Sequence, residues 1–199
     1  LSSSVETIWI CPRNRPPTAA RPAPMAQARR FITLTFTPDT TAAYHNFTRR
    51  FWLRDQIYPK LGFGQFVSMD DMTLTIQPND WPTDEGLYRS VLDHATGEQP
   101  QFHFIVTVQT HGPYEKDDFD AKGHDGLHDY RTRLDGAARS LADFKRALDT
   151  RGRPYVLVLF GDHLPGLRLH QLKNGMTSEQ DPRLHQIPVL VASNAENPQ

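Results

Sequence analysis

The chain has 199 residues, 38% hydrophobic, 10% aromatic and 23% charged, with 22 basic against 23 acidic side chains and a formal net charge of −1. That balance belongs to a globular chain of one domain or a little more, and it excludes collagenous and uniformly disordered classes. Without a basic excess to neutralise phosphates, a DNA- or RNA-binding role has little support. No run approaches the roughly 18 apolar residues that a membrane span needs, and no charged-then-apolar signal peptide opens the chain. Cys11, the lone cysteine, has no internal disulfide partner.

Residues 1–30 contain Pro12, Pro16, Pro17, Pro22 and Pro24 among several Ala and Arg, without sustained periodicity. Proline removes backbone donors, so this stretch is predicted to be a leader or linker without regular structure. From residue 31 the segment FITLTFT alternates apolar and hydroxyl side chains, which suits a strand with one buried face. Residues 31–199 are therefore expected to hold the folded unit. A short helix is predicted from a Thr83 cap, turning Leu87, Val91 and Leu92 inward.

FHFIVT (102–107) and YVLVLF (155–160) are β-branched and aromatic-rich, and both read as buried strands. Between them Leu127, Tyr130, Leu134, Ala138, Leu141, Phe144 and Leu148 recur at three- and four-residue steps. Arg131, Arg133, Arg139, Asp143 and Lys145 fall elsewhere on the wheel, which predicts an amphipathic helix ending near Gly152. IPVLVA (187–192) is expected to add another buried strand. Strand, helix and strand in repetition predict an α/β fold with a mainly parallel sheet flanked by helices.

Ligands of such sheets sit beyond the carboxyl ends of the strands. FHFIVT is followed by Val108-Gln109-Thr110-His111-Gly112-Pro113-Tyr114, and YVLVLF by Gly161-Asp162-His163-Leu164-Pro165-Gly166. A carboxylate and an imidazole at one tight turn, as in Asp162 and His163, can both reach a single divalent cation, although such a pair also occurs in purely structural turns. His111 reads equally as a turn histidine donating to a nearby carbonyl. The segment Tyr44-His45-Asn46-Phe47-Thr48-Arg49-Arg50-Phe51-Trp52-Leu53-Arg54-Asp55 combines aromatic rings with arginine forks able to hold an anionic ester. Its residues alone favour a surface loop anchored by Phe51 and Trp52.

Four motifs in order, YHNFTRRFWLRDQIYPKLGFGQFVS (44–68), VTVQTHGPY (106–114), LFGDHLPG (159–166) and HQIPVLVASN (185–194), resemble the catalytic domain of the lipoteichoic acid synthase and phosphoglycerol transferase group. That group lies within the alkaline phosphatase and sulfatase superfamily. The resemblance implies a sulfatase-like fold and a metal-dependent transfer of phosphoglycerol through a threonine nucleophile. The implied metal ligands are Asp162 and His163, and the implied metal is manganese, with magnesium, zinc or calcium as alternatives. Trp52 and Arg54 resemble the pair lining the phosphoglycerol pocket, and His111 the histidine on the phosphoryl oxygens. His45 and His170 match positions at which relatives place further substrate-side histidines. His94, His103, His124, His128 and His185 carry no functional expectation.

The family's earlier half, with membrane helices, a strand-end metal-ligating glutamate and the threonine nucleophile, has no recognisable counterpart here. Glu6, Thr7, Thr18, Thr33 and Thr35 sit in text that matches no family motif. The expectation is a C-terminal portion of the catalytic domain, incomplete at its N-terminal side and inactive alone, joined to the membrane only through the missing part. The resemblance implies a phosphoglycerol-bearing lipid or glycan as substrate, and a parent protein in the bacterial cell membrane with its catalytic domain outside. A phosphate or sulfate ester hydrolase and an inactive binding remnant are the alternatives.

Overall fold

In the computed structural model the described residues are 5–11, 36–76, 80–97, 99–114, 126–178 and 180–194, with 5–11 and 168–170 described by backbone alone. Six strands form one sheet: β1 (Val5–Cys11), β2 (Thr41–His45), β3 (Gln65–Ser68), β4 (Gln101–Val106), β5 (Val156–Gly161) and β6 (Val189–Ser193). Their order across the sheet is β3-β2-β4-β1-β5-β6. β2 runs parallel to β3 and β4. β1 is antiparallel to both β4 and β5, so those two share a direction, and β6 is antiparallel to β5. The carboxyl ends of β2, β3, β4 and β5 thus open on one edge of the sheet, where loops can converge.

Strand alternation divides β4 between two layers. Phe102 and Phe104 face an aromatic cluster under helix α1 (Arg54–Lys60), in which Tyr58 meets Phe66 at 4.9 Å and Phe63 meets Phe102 at 5.9 Å between ring centroids. On the other face Ile105 joins Ala42, Tyr44, Val67 and Leu157. Helices α2 (Asp84–His94) and α3 (Leu127–Arg151) cover that face with Leu87, Tyr88, Val91, Phe144 and Leu148. The Tyr88 and Phe144 rings stack at 4.6 Å, which joins the two helices. Tyr44 donates or accepts through its hydroxyl with His103 Nδ1 at 3.1 Å in the buried layer.

Thr83 is the N-cap of α2, as its sequence predicts, and Gly152 ends α3 in the left-handed conformation at φ 64°. Tyr155 anchors the turn that follows, because its hydroxyl donates to Asp149 Oδ1 at 2.7 Å. Tyr155→Phe leaves the buried ring in place and removes that bond. A loss of about 1 kcal/mol is expected in urea unfolding, and no change in the midpoint would count against this role.

Four expectations are corrected. Residues 1–30 were expected to hold no regular element, yet Val5–Cys11 (VETIWIC) forms a strand in the middle of the sheet. The prolines begin only at Pro12, and the β-branched and aromatic residues before it favour extended backbone. Within FITLTFT, residues 31–35 lie outside the described residues, and Thr37 is the N-cap of a 3-10 turn over Pro38–Thr40 instead of a strand residue.

The strand drawn from IPVLVA forms at Val189–Ser193, but it is an edge strand paired only with β5 among the described residues. Val189, Leu190 and Val191 are exposed, because none of the described residues forms a layer over them. The buried stripe of α3 is also turned: Leu134 and Ala138 face solvent, while Arg133, Ala137, Phe144 and Leu148 face inward. Arg133 is drawn in by Asp129, whose Oδ1 accepts from Nε at 2.8 Å, and by the carbonyl of His111, which accepts from Nη1 at 2.9 Å.

Candidate functional site

β2 delivers His45 to the carboxyl edge as its last residue, and β5 delivers Asp162 and His163 just past Gly161. β4 runs on into the loop that carries His111. The four side chains come from three codirectional strands, which brings them together although they span over a hundred positions of sequence. Aromatic rings connect them. His45 stacks on Phe51 at 6.1 Å, Phe51 meets Phe47 at 5.2 Å, Phe47 meets Trp81 at 5.1 Å, and Trp81 meets His111 at 4.6 Å. Phe47, Phe51 and Trp81 thus form an apolar wall between the two histidines, and behind it lies a cavity of about 260 Å³ whose lining includes Phe47, Trp81 and Arg133.

Charges within this edge act on one another. Burial, the Arg54 guanidinium and His111 hold His45 down to about 4, against the rise from its bond to Val106, so its ring is neutral at physiological pH. Since the Val106 carbonyl can only accept, His45 Nδ1 donates to it at 3.1 Å, and the lone pair lies on Nε2. That Nε2 is buried and makes no hydrogen bond. Arg54 Nη1 donates to the Tyr58 hydroxyl at 2.5 Å, whereas its Nε is also buried without a hydrogen-bond partner. Burial lowers His111 as well, with His163 lowering it and Asp162 and the Gly112 carbonyl raising it. A buried acceptor and a buried donor, both unsatisfied and electrostatically linked, suit a ligand that carries hydroxyl and anionic groups.

Asp162 and His163 present a carboxylate and an imidazole at one turn. His163 Nδ1 donates to the Leu164 carbonyl at 2.8 Å, which orients the ring. Its Nε2 then lies 3.6 Å from Asp162 Oδ2. In the neutral ring these are two acceptors facing each other, a donor pair that would suit a divalent cation. The pair therefore fits as two ligands. No group of three or more His, Cys, Asp or Glu side chains suited to a metal occurs among the described residues.

Two residues without an expected role hold the loops in place. Asp84, fully buried at the start of α2, accepts from Asn46 Nδ2 at 3.0 Å and from the backbone N–H groups of Val108 and Gln109, while its own N–H donates to Gln109 Oε1 at 2.8 Å. It thereby ties the exit of β2 to the exit of β4. Burial nevertheless pushes its carboxyl up to about 7. Arg133 fixes the His111 loop through the carbonyl bond already described and reaches Asp80 at 3.2 Å. A carboxylate at the first position of a helix reads from sequence as an ordinary capping charge, and Arg133 as a polar-face residue, so neither stood out.

Trp52, expected to line the pocket, stacks on the outer side of Phe51 at 5.7 Å and is itself largely exposed. Trp52 and Leu53 both take left-handed backbone at φ 54°. His170 belongs to helix α4 (Arg168–Lys173), but its side chain lies outside the described residues. Another cavity, about 470 Å³, is at the amino ends of β2, β3 and β4 beside Tyr44, His94 and His103, on the opposite edge from these groups. No helix among the described residues is long and apolar enough to cross a membrane.

Known proteins share this arrangement of strands. The structure is similar to the Streptococcus pyogenes phosphoglycerol transferase GacH, solved in complex with sn-glycerol-1-phosphate, at a TM-score of 0.64 and 20% identity over 80% of this chain and 44% of that one. It is also similar to the lipoteichoic acid synthase LtaP from Listeria monocytogenes, at 0.60 and 25% over 81% and 45%. A Rhizobium meliloti (strain 1021) protein named for cyclic β-1,2-glucan modification is 31% identical over 178 residues, 78% of this chain and 28% of its own length. The chain thus spans less than half of each of these relatives. The sulfatase family model matches residues 40–199, which takes in every strand after β1 and the candidate residues His45, Arg54, His111, Asp162 and His163. With β2, β3, β4 and β5 running in one direction and the lipoteichoic acid synthase and phosphoglycerol transferase structures among its relatives, the chain belongs to the sulfatase family.

Proposed function

We propose that this chain binds the phosphoglycerol group of a metal-dependent phosphoglycerol transferase reaction and does not complete that reaction alone. The observation that carries the proposal is the pairing of two unsatisfied buried atoms, His45 Nε2 and Arg54 Nε, beside His111 at the carboxyl edge of the sheet. Arg54 and His111 hold the phosphoryl oxygens, and the His45 lone pair accepts from a glycerol hydroxyl. The wall of Phe47, Phe51 and Trp81 keeps water from one side of the ester and strengthens those polar contacts. Asp162 and His163 would hold a divalent cation, manganese by family resemblance, which offsets charge on the phosphoryl group when bound.

Among the described residues these two donors alone give such a cation fewer protein ligands than the reaction needs, and the same geometry would serve an ester hydrolase if water replaced the acceptor hydroxyl. The family resemblance supports a location at the bacterial cell membrane with this domain outside. Calorimetry with sn-glycerol 1-phosphate tests the binding, and a phosphodiesterase assay with manganese tests the reaction. Binding without turnover is the expected result. Robust turnover that Asp162→Ala abolishes would show a complete active site, and the absence of binding by the folded chain would remove the proposal.

A further inference from the structure

The turn that presents His111 is held from two helices by one side chain. The His111 N–H donates to the Val108 carbonyl at 2.9 Å, which closes a turn with Gln109 and Thr110 at its centre. Residues 84 and 109 bind each other reciprocally: the Asp84 carboxyl accepts from the Val108 and Gln109 N–H groups, and the Asp84 N–H donates to Gln109 Oε1 at 2.8 Å. With Oε1 committed to α2, the Nε2 end of the same amide faces α3. There it lies so close to Gly136 that a Cβ at that position would overlap it. Gly136 sits well inside the 25-residue α3, where glycine is less favourable than alanine, so the close approach of the Gln109 amide is a physical reason for a glycine there.

We propose that Gln109, seated between Asp84 and Gly136, is the positioning residue that sets His111 against His45 in the candidate site. Asp84 accepts in turn from Asn46 Nδ2 at 3.0 Å, and Asn46 follows His45 at the exit of β2. One chain of contacts therefore runs from Gly136 through Gln109, Asp84 and Asn46 to the backbone of His45, with the His111 turn as its other branch. The His111 ring is tied to its own turn, since Nδ1 donates to the Gly112 carbonyl, so it moves as the turn moves. The rest of the loop is fastened elsewhere: the Tyr114 hydroxyl donates to the Thr110 carbonyl at 2.9 Å, and Arg133 Nη1 to the His111 carbonyl at 2.9 Å. Those bonds keep the loop folded when Gln109 is displaced, and what Gln109 adds is the aim of the ring. A phosphoryl oxygen held by both Arg54 and His111 needs that aim, because small misplacements of a liganding group cost affinity steeply. The inference rests on the phosphoglycerol reading for what the site holds, whereas the geometry of the turn is independent of it.

The test is calorimetry and histidine-ring NMR on the full chain and its variants. The Gln109 amide is the flexible end of its side chain, so Gly136→Ala pushes it aside at little cost while the alanine favours the helix. Gly136→Ala should thus leave the thermal midpoint unchanged or raised and weaken sn-glycerol 1-phosphate binding by roughly tenfold. It should also move the His111 ring resonances while those of His103, on the opposite edge of the sheet, stay in place. Gln109→Ala should show the same loss and the same movement, and adding Gly136→Ala to it should change nothing further, because both act through one amide. If wild type fails to bind sn-glycerol 1-phosphate while the His111 resonances still move in Gly136→Ala, the phosphoglycerol reading falls and the positioning stands. Unmoved His111 resonances in Gly136→Ala, or an affinity equal to that of a binding wild type, would overturn the inference. So would losses that add in the double variant, or a fall in affinity accompanied by a lower thermal midpoint and a shifted His103 ring, since the effect would then be general loosening.

Discussion

Arg54→Ala is expected to weaken sn-glycerol 1-phosphate binding by about a hundredfold, the loss typical of truncating one partner of a buried, charged hydrogen-bonded pair. The physical reason lies in how the guanidinium is committed. Its Nη1 is spent on the Tyr58 hydroxyl at 2.5 Å, which fixes the plane of the fork. Its Nε is buried without a hydrogen-bond partner, so a phosphoryl oxygen placed there gains a charge-assisted bond without displacing a protein contact. Arg54→Lys keeps the charge but has no planar fork, and it should recover less than a tenth of the lost affinity. Calorimetry on the three proteins, each with its thermal transition, measures this. An affinity for Arg54→Ala within about threefold of wild type would remove Arg54 from the site.

Between pH 5 and 6 the folded chain should lose stability as acid is added, and Asp84→Asn should make that loss steeper. Two histidines are buried neutral: burial, with Arg54, holds His45 down to about 4, and burial, with His94 and Arg153, holds His103 down to about 3. Both sit below the unfolded value of about 6.5, so their contribution is present above that pH and is lost as pH falls toward the folded values. Asp84 has the opposite sign. Burial raises its folded value to about 7 above the ordinary carboxylate range, so the folded chain takes up its proton first and stability rises as pH falls through 7.

In the window from pH 5 to 6 the histidines therefore release stability while Asp84 returns part of it. These three groups together take up a net of one proton on unfolding, a slope of about 1.4 kcal/mol per pH unit, to which the lowered His111 adds in the same direction. Asp84→Asn removes the opposing group, and the slope should approach twice that value. Urea unfolding at several pH values reads the slope independently of any constant effect of the substitution. An unchanged slope in the variant would show that Asp84 is ionised in the folded chain.

Much of the fold was legible in the strand-helix-strand pattern. The runs at 102–107 and 155–160 appear as β4 and β5 within one residue at each end, and α2 starts directly after Thr83 as predicted. These elements read well because burial on both faces demands unbroken apolar runs, and helix ends demand particular residues. The edge position of β6 did not read, because a strand's own composition does not say whether a layer covers it. The strand at Val5–Cys11 was hidden by the prolines that follow it, although its own residues are mostly β-branched or aromatic.

The site divides in the same way. Residue types and turn positions in the sequence by themselves determined that His111, Asp162 and His163 stand at strand exits, that an aromatic and arginine-rich segment precedes them, and that the motif order is that of sulfatase relatives. Only the tertiary structure decided that His45 is buried neutral with its lone pair turned to the site, that Arg54 points inward, and that Trp52 stands on the outside of the wall that Phe47, Phe51 and Trp81 build. It also assigned Asp84 and Arg133 to the loops they hold. The reason is that desolvation, hydrogen-bond satisfaction and the direction of a side chain depend on neighbours distant in sequence. Local pattern fixes which face a residue takes on its own element, and packing alone fixes what meets it there.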